Sequence, residues 1–358
     1  MKNLFILFIC AFSSEFKNMK LCCSQSLDHS CSSYYPCVGI NTTVQNNVNS
    51  VINSFNKFIH TNNKQYNSIE EYAYRLTIYS HNKLQHSNTS QLISPFADWT
   101  KEEFYNYQRL LPARRKSAPR RTPQTTLPYS IDWRKKDVVA NIKDQGLCGS
   151  CWTFATVASI ESATAIFNQK PVIPLSEQNL IDCVKNDTIH DEKCCLGCNG
   201  GVMDNAFDYI IKKQHGLIDT EESYPYMGFE GNCKFSKKGS GAKIINWIDI
   251  PSGDEYALAE AVSNVGPVSV TVDASSQWQF YDTGILIPKR IFGCSSKPIN
   301  ANHGVVIVGY GSENNIDYWI VRNSWGTDWG ESGYLRLVRG INACGVANSA
   351  SYPIISTV

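Results

Sequence analysis

Apolar positions recur at helical spacing early in the chain. Val51, Ile52, Phe55, Phe58 and Ile59 form one such set, and Tyr72, Leu76 and Tyr79 form another after the acidic start Glu70-Glu71, so residues 51–90 read as helical. Residues 112–128 carry no apolar period. They hold four prolines and the basic residues Arg114, Arg115, Lys116, Arg120 and Arg121, the pattern of a linker and cutting site. Beyond them, Cys151 to Phe167 is almost wholly apolar, as in a helix buried on all sides. Ser176 can cap a short helix ending near Cys183. Val202 to His215 is amphipathic and stops at Gly216, and Asp254 to Val265 is halted by Gly266-Pro267. Strand signals follow at Val268 to Val272, Gly304 to Tyr310, Tyr318 to Arg322 and Tyr334 to Val338. Helices followed by strands predict an α+β fold with two subdomains.

The start of the chain has a different pattern. Met1-Lys2-Asn3 precedes a nine-residue apolar run, Leu4 to Phe12, and Ala11-Phe12-Ser13 is a small-x-small triplet. A bilayer span needs about 20 such residues, so residues 1–13 read as a secretory signal. Residues 14–50 are polar, with Cys22, Cys23, Cys31 and Cys37, and no fold is assigned to them. Asn41, Asn88 and Asn186 head glycosylation triplets.

Composition narrows the functional classes. The chain has 358 residues, 42% of them hydrophobic and 18% charged, which is globular. Its net charge of +1 supplies no field for nucleic acid or an anionic membrane. Fourteen cysteines suggest an oxidising compartment.

The candidate chemistry centres on Gln145-Gly146-Leu147-Cys148-Gly149-Ser150-Cys151-Trp152. A thiol attacks carbonyl carbon only as thiolate. Cys151 opens the long helix, where unpaired main-chain N–H groups and the positive dipole end favour that anion, and a nearby imidazolium would favour it further. The Gln145 side-chain amide and the Cys151 N–H are candidates for holding an oxyanion. His303 opens an apolar strand 152 residues later, and Asn323 closes the next one 172 residues after Cys151.

Cys148 to Trp152 matches the local signature of papain and cathepsin cysteine proteases at every position, and His303 and Asn323 lie slightly beyond the usual downstream spacing of about 130–150 residues. The chain thus resembles a papain-like, cathepsin L-type protease from Leu127 to its end. Asp132-Trp133-Arg134, Ser176-Glu177-Gln178, Cys198-Asn199-Gly200-Gly201, Ser223-Tyr224-Pro225-Tyr226 and Gly266-Pro267-Val268 stand in the family's order. Upstream, Glu71, Arg75, Tyr79 and Asn82, with Phe96-Ala97-Asp98-Trp99-Thr100, resemble motifs of cathepsin L-type propeptides.

The resemblance implies a helical left half and an antiparallel, barrel-like right half behind a helical propeptide. It divides the chain into a signal (1–13), an unassigned segment (14–50), an inhibitory propeptide (51–111), a linker (112–126) and a peptidase domain (127–358). By the same resemblance Cys151 is the nucleophile, His303 its acid–base partner, Asn323 the residue that orients His303, and Gln145 an oxyanion donor. Gly149, Gly200 and Gly201 would meet substrate backbone. Val202, Met203, Thr271, Ala301 and Ser349 would line the pocket for the residue two before the cut, and Trp325 would shape the leaving-group side. Their uncharged character favours an apolar residue in that pocket. The implied disulfides are Cys148–Cys198, Cys183–Cys233 and Cys294–Cys344. Cys194 and Cys195 remain, with local pairing, a free thiol, or zinc at Cys195-x-x-Cys198 near His190 all open. No cofactor or resident metal is expected. The implied partners are peptide and protein substrates and the chain's own propeptide, for a monomer on the secretory route to a lysosome, vacuole or the exterior. A catalytically silent binding protein and a peptide ligase on the same scaffold are the alternatives.

Overall fold

The computed structural model describes residues 42–85, 94–111, 126–184, 195–289 and 293–357. The signal, Asn41, Asn88, Asn186, the basic residues of the linker, Cys22, Cys23, Cys31, Cys37, His190 and Cys194 lie outside the described residues. The chain forms two compact units, residues 1–100 and 101–358.

In the first unit, helices α1 (Thr42–Thr61) and α2 (Ile69–Gln85) replace the continuous helical stretch read from 51–90. The interruption has a local cause. Ser68 Oγ accepts from Glu71 N–H, and Glu71 Oε2 accepts from Asn67 N–H, so a capping-box arrangement restarts the helix. Phe55, Phe58 and Tyr79 pack with ring centroids 5.2–5.9 Å apart. The two propeptide-like motifs meet here: Asn82 Nδ2 donates to the Ala97 and Trp99 carbonyls, and Arg75 donates to the Asp98 carbonyl. The buried Asp98 carboxylate accepts from the Tyr66 hydroxyl at 2.9 Å and pairs with Lys64 at 3.3 Å.

The second unit begins with α3 (Lys101–Tyr107) and contains β1 (Ile131–Asp132), α4 (Cys151–Asn168), α5 (Glu177–Cys183), α6 (Met203–Lys213), β2 (Leu217–Asp219), β3 (Ser240–Ile250), α7 (Glu255–Asn264), β4 (Val268–Val272), α8 (Ser276–Gln279), β5 (Ile285–Leu286), β6 (His303–Glu313), β7 (Ile316–Arg322), β8 (Tyr334–Val338) and β9 (Ala350–Ser356). The nine strands form one sheet in the order β2-β3-β9-β4-β6-β7-β8-β5, with β1 on β6. Pairing is antiparallel except at one edge, where β5 runs parallel to β8.

Helix α4 is enclosed from Cys151 to Ala165 apart from half-buried Ala163, and emerges at Phe167. Its Trp152, Val157 and Ile160 share a core with Phe207 and Ile210 of α6 and with Ala242, Ile244, Val306, Val308 and Ile320 from the sheet. Glu161 is the one charge on this helix, and it is buried. Lys143 reaches Glu161 (3.2 Å), Glu177 (2.8 Å) and Glu221 (3.4 Å), while Arg322 lies 3.5 Å from Glu161. Burial works against the Lys143 ammonium, but Glu177 and Glu161 outweigh it and hold it above the usual lysine range. This ion cluster joins α4 and α5 to β7.

The disulfides among the described residues are Cys148–Cys198, Cys183–Cys233 and Cys294–Cys344, and Cys151 is the free cysteine there. Cys195 is also disulfide-bonded. Both sulfurs of the Cys195-x-x-Cys198 pattern are thus occupied, which closes the zinc reading. No helix among the described residues is long and apolar enough to cross a membrane.

Candidate active site

Cys151 is the first residue of α4, fully buried, and its thiol faces the main-chain N–H groups of Gly304, Trp152, Arg109 and Cys151 itself. The loop before it is fixed by the Cys148–Cys198 bond and by Gly149 N–H donating to the Cys198 carbonyl at 2.9 Å.

His303 begins β6 and is also fully buried. Its Nε2 lies 2.8 Å from Asn323 Oδ1, which also accepts from Ser324 N–H. An amide oxygen carries no proton and can only accept, so the proton sits on Nε2 and Nδ1 presents its lone pair. Nδ1 is buried with no hydrogen-bond partner. Trp325 stacks on the imidazole, with centroids 4.5 Å apart and planes 25° apart, and shields the His303–Asn323 contact from water.

Gln145 is fully buried. Its Oε1 accepts from Ser324 Oγ at 2.7 Å, and its Nε2 donates to the Cys148 carbonyl at 3.0 Å. The second N–H of that amide is left for another acceptor.

With the cleft occupied, burial works against charge on both groups. Burial pushes the Cys151 thiol up to about 11, against the lowering pull of the surrounding N–H groups. Burial likewise pushes His303 down to about 4, opposed by its bond to Asn323. The cause is a cover. After α3 the chain runs through the cleft in extended form. Leu110 N–H donates to the Asn302 carbonyl and Leu111 N–H to the Gly201 carbonyl, both at 3.1 Å, and Leu110 bridges Gly201 in parallel sense. A Cβ on Gly200, whose φ is +110°, would stand 1.9 Å from the Arg109 carbonyl oxygen. The cover's approach therefore depends on glycine at that position. Phe104 and Tyr107 of α3 pack against Trp325 at 5.4 and 6.2 Å.

Some of the residues read for the substrate pocket are tied to one another or to the neighbouring elements. Thr271 N–H donates to the Ser349 carbonyl at 2.9 Å, Val202 and Met203 open α6, and Ser351 Oγ binds Asp204 Oδ1 at 2.6 Å, tying α6 to β9. Half-buried Leu110 packs against the core cluster that contains Met203. Sequence reasoning missed Arg109, Leu110 and Leu111 as cleft occupants and Ser324 as the partner of Gln145. It named Tyr226 only within a motif. The lone Glu161 in an apolar helix was the one signal that a buried cation had to exist.

The family model described as papain family cysteine protease matches residues 127–354. The chain is 43% identical over 312 residues to a KDEL-tailed cysteine endopeptidase of Arabidopsis thaliana, covering 80% of this chain and 81% of the relative. It is 39% identical over 314 residues to pro-cathepsin H of Medicago truncatula, covering 85% and 86%. The solved structure of digestive procathepsin L 3 from the larval midgut of Tenebrio molitor superposes with a TM-score of 0.74 at 38% identity, covering 85% of this chain and 99% of that one. With a thiol at the head of a buried helix, a histidine held by asparagine, and this extent of shared sequence, the chain belongs to the papain family of cysteine proteases and is a cysteine endopeptidase made as a zymogen.

Proposed function

We propose that Cys151, His303, Asn323 and Gln145 carry out the hydrolysis, and that residues 101–111 hold the site silent until they leave. The observation that carries this reading is the extended backbone of Arg109 to Leu111, hydrogen-bonded to both cleft walls with the Arg109 N–H at the Cys151 thiol. A cleft that binds one peptide strand this way is built to bind others.

Once the cover is gone, the His303 Nδ1 lone pair takes the thiol proton. Cys151 Sγ attacks the scissile carbonyl carbon, and the oxyanion accepts hydrogen bonds from the Cys151 N–H and the Gln145 amide. His303 returns the proton to the leaving amine as the C–N bond breaks, leaving a thioester. Water then attacks that thioester, His303 removes the water's proton, and the acid product and thiol are released. Asn323 keeps the imidazole in the Nε2–H tautomer throughout.

Val202, Met203, Thr271, Ala301 and Ser349 form the pocket for the residue two before the cut. Its uncharged wall, with Leu110 packed on the Met203 cluster, favours leucine-like side chains. Gly149, Gly200 and Gly201 receive the substrate main chain. Residues 1–13 are the signal, 51–111 the propeptide, 112–126 the cutting linker and 127–358 the peptidase, with residues 14–50 upstream of the propeptide. Disulfides suit a secretory route ending in a lysosome, vacuole or the exterior.

The test is Cys151→Ala in the full-length chain. Peptide hydrolysis should fall by at least about a thousandfold, and acid incubation should no longer shorten the chain, while the melting temperature is retained. Activity within tenfold of the parent would remove Cys151 from the mechanism.

A further inference from the structure

Tyr226 has no part in the reaction above, yet it touches both sides of the oxyanion site. Its ring packs edge-on against Phe154 of α4, with centroids 5.0 Å apart at 73°. Its main-chain N–H donates to Glu221 Oε1 at 2.8 Å. Its phenol donates to the Gln145 main-chain carbonyl at 2.6 Å. A phenol has one proton, and that bond uses it. Ser150 Oγ, 2.9 Å from the phenol oxygen, must therefore be the donor of that pair. The competing acceptor for Ser150, the Cys148 carbonyl, is 3.4 Å away. Ser150 is the N-cap residue of α4 but makes no side-chain bond to the helix, so its hydroxyl is available for this link. The direction of the chain is fixed: Ser150 Oγ–H to Tyr226 Oη–H to Gln145 C=O.

The two ends of this link belong to the two oxyanion donors. Gln145 bears the side-chain amide, and Ser150 shares its peptide plane with the Cys151 N–H. The far side of Gln145 is already held by Ser324, through Oε1 at 2.7 Å and through Gln145 N–H donating to the Ser324 carbonyl at 2.9 Å. We infer that Tyr226 is a positioning residue, whose hydroxyl ties the Gln145 main chain to the Ser150–Cys151 peptide and sets the spacing of the two oxyanion donors. This rests on the reading of Gln145 and Cys151 as the oxyanion site. Donors of that kind act only when pre-set around the developing charge, and misplacement by about 1 Å can cost on the order of a hundredfold. Loosening one tie among several should cost less, about tenfold.

The experiment uses the matured protein. Tyr226→Phe keeps the ring against Phe154 and removes the link. The expected result is a loss of about tenfold in kcat on a peptide amide with KM within about twofold. A peptide aldehyde, whose adduct oxygen occupies the oxyanion site, should bind about tenfold more weakly. Alkylation of Cys151 by iodoacetamide forms no oxyanion, so its rate and pH profile should not move. In a Gln145→Ala background, Tyr226→Phe should cost less than about threefold, because the residue acts through Gln145. Ser150→Ala breaks the same link from its other end and should show the same split, which covers a Tyr226→Phe chain that folds poorly. If Gln145→Ala is impaired but both link variants keep kcat, the inference falls and the oxyanion reading stands. If Gln145→Ala is itself unimpaired, the oxyanion reading falls and takes the inference with it. Alkylation slowing in step with kcat would make Tyr226 a support of the nucleophile or the fold, and would also overturn the inference.

Discussion

A cysteine and a histidine can hold opposite charges only where the surroundings tolerate charge. In the covered form both are fully buried, and burial works against charge on each, pushing the thiol up to about 11 and the imidazole down to about 4. A rise from 9.0 to about 11 leaves roughly a hundredfold less thiolate than an unperturbed thiol would have at the same pH. The intact zymogen should therefore react with iodoacetamide at least about a hundredfold more slowly at pH 7 than the matured protein, as read by intact-protein mass. Its rate should keep climbing beyond pH 9, whereas the matured protein's should level off well below that. Equal rates would mean the cover does not control ionisation. At this scale the sequence was legible wherever chemistry demands a residue type at a place. Cys151, His303, Asn323 and Gln145 could be picked out because each sits in a short pattern of its own. Ser324, Lys143 and Arg322 could not, since their partners lie up to 181 residues away and only the folded chain joins them.

Elements with one clean period were legible as well. The strand Val268–Val272 and the helix Glu177–Cys183 fall where alternation and the Ser176 cap place them. Strands β3 and β9 went unread for separate physical reasons. A bulge between Ile244 and Asn246 breaks the alternation of β3, and Pro353 interrupts β9 where it pairs with Trp247. Helix α3 has only seven residues, too few to show a period, and no cap was read before it as Ser176 was read before the equally short Glu177–Cys183. An inhibitory propeptide was legible from the resemblance, but the residues that occupy the cleft were not: the hydrogen bonds of Leu110 and Leu111 are made by main-chain atoms, which any sequence carries. That gives Gly200→Ala a particular signature. In a Cys151→Ala background, the added methyl meets the Arg109 carbonyl oxygen and should drive residues 109–111 out of the cleft. Hydrogen exchange should show lost protection at Leu110 and Leu111, while β6 and β7 stay protected. The left-handed backbone at Gly200 adds about 1 kcal/mol or more of strain, so a modest fall in melting temperature should accompany it. Unchanged protection at 109–111 would place the Arg109 carbonyl elsewhere.

For the molecule as a whole, burial of His303 couples closure of the cleft to pH. The imidazole is held near 4 in the closed form and returns toward 6.5 when the cover lifts and water reaches it. The open form therefore binds the extra proton. Closure is unaffected well above 6.5 and weakens as pH falls from 6.5 toward 4, by up to tenfold per unit and a few hundredfold in all. Cys151 acts on the opposite flank: its raised thiol stays protonated in the closed form while an open thiol ionises, so closure also weakens as pH rises through the open thiol's lower range. The zymogen should be tightest between these limits and should open in acid without any protease acting on it. Full-length Cys151→Ala, which cannot cut itself, isolates the acid side. Protection of the Leu110 and Leu111 amides, corrected for intrinsic exchange, should fall steeply between pH 6.5 and 4. Adding His303→Gln removes the titrating group, and the remaining slope then measures every other carboxyl and imidazole in the chain. A double variant that opens as steeply as the single one would shift acid opening away from His303. A flattened profile would mean that the residue proposed to move the proton in catalysis also senses the pH that exposes it.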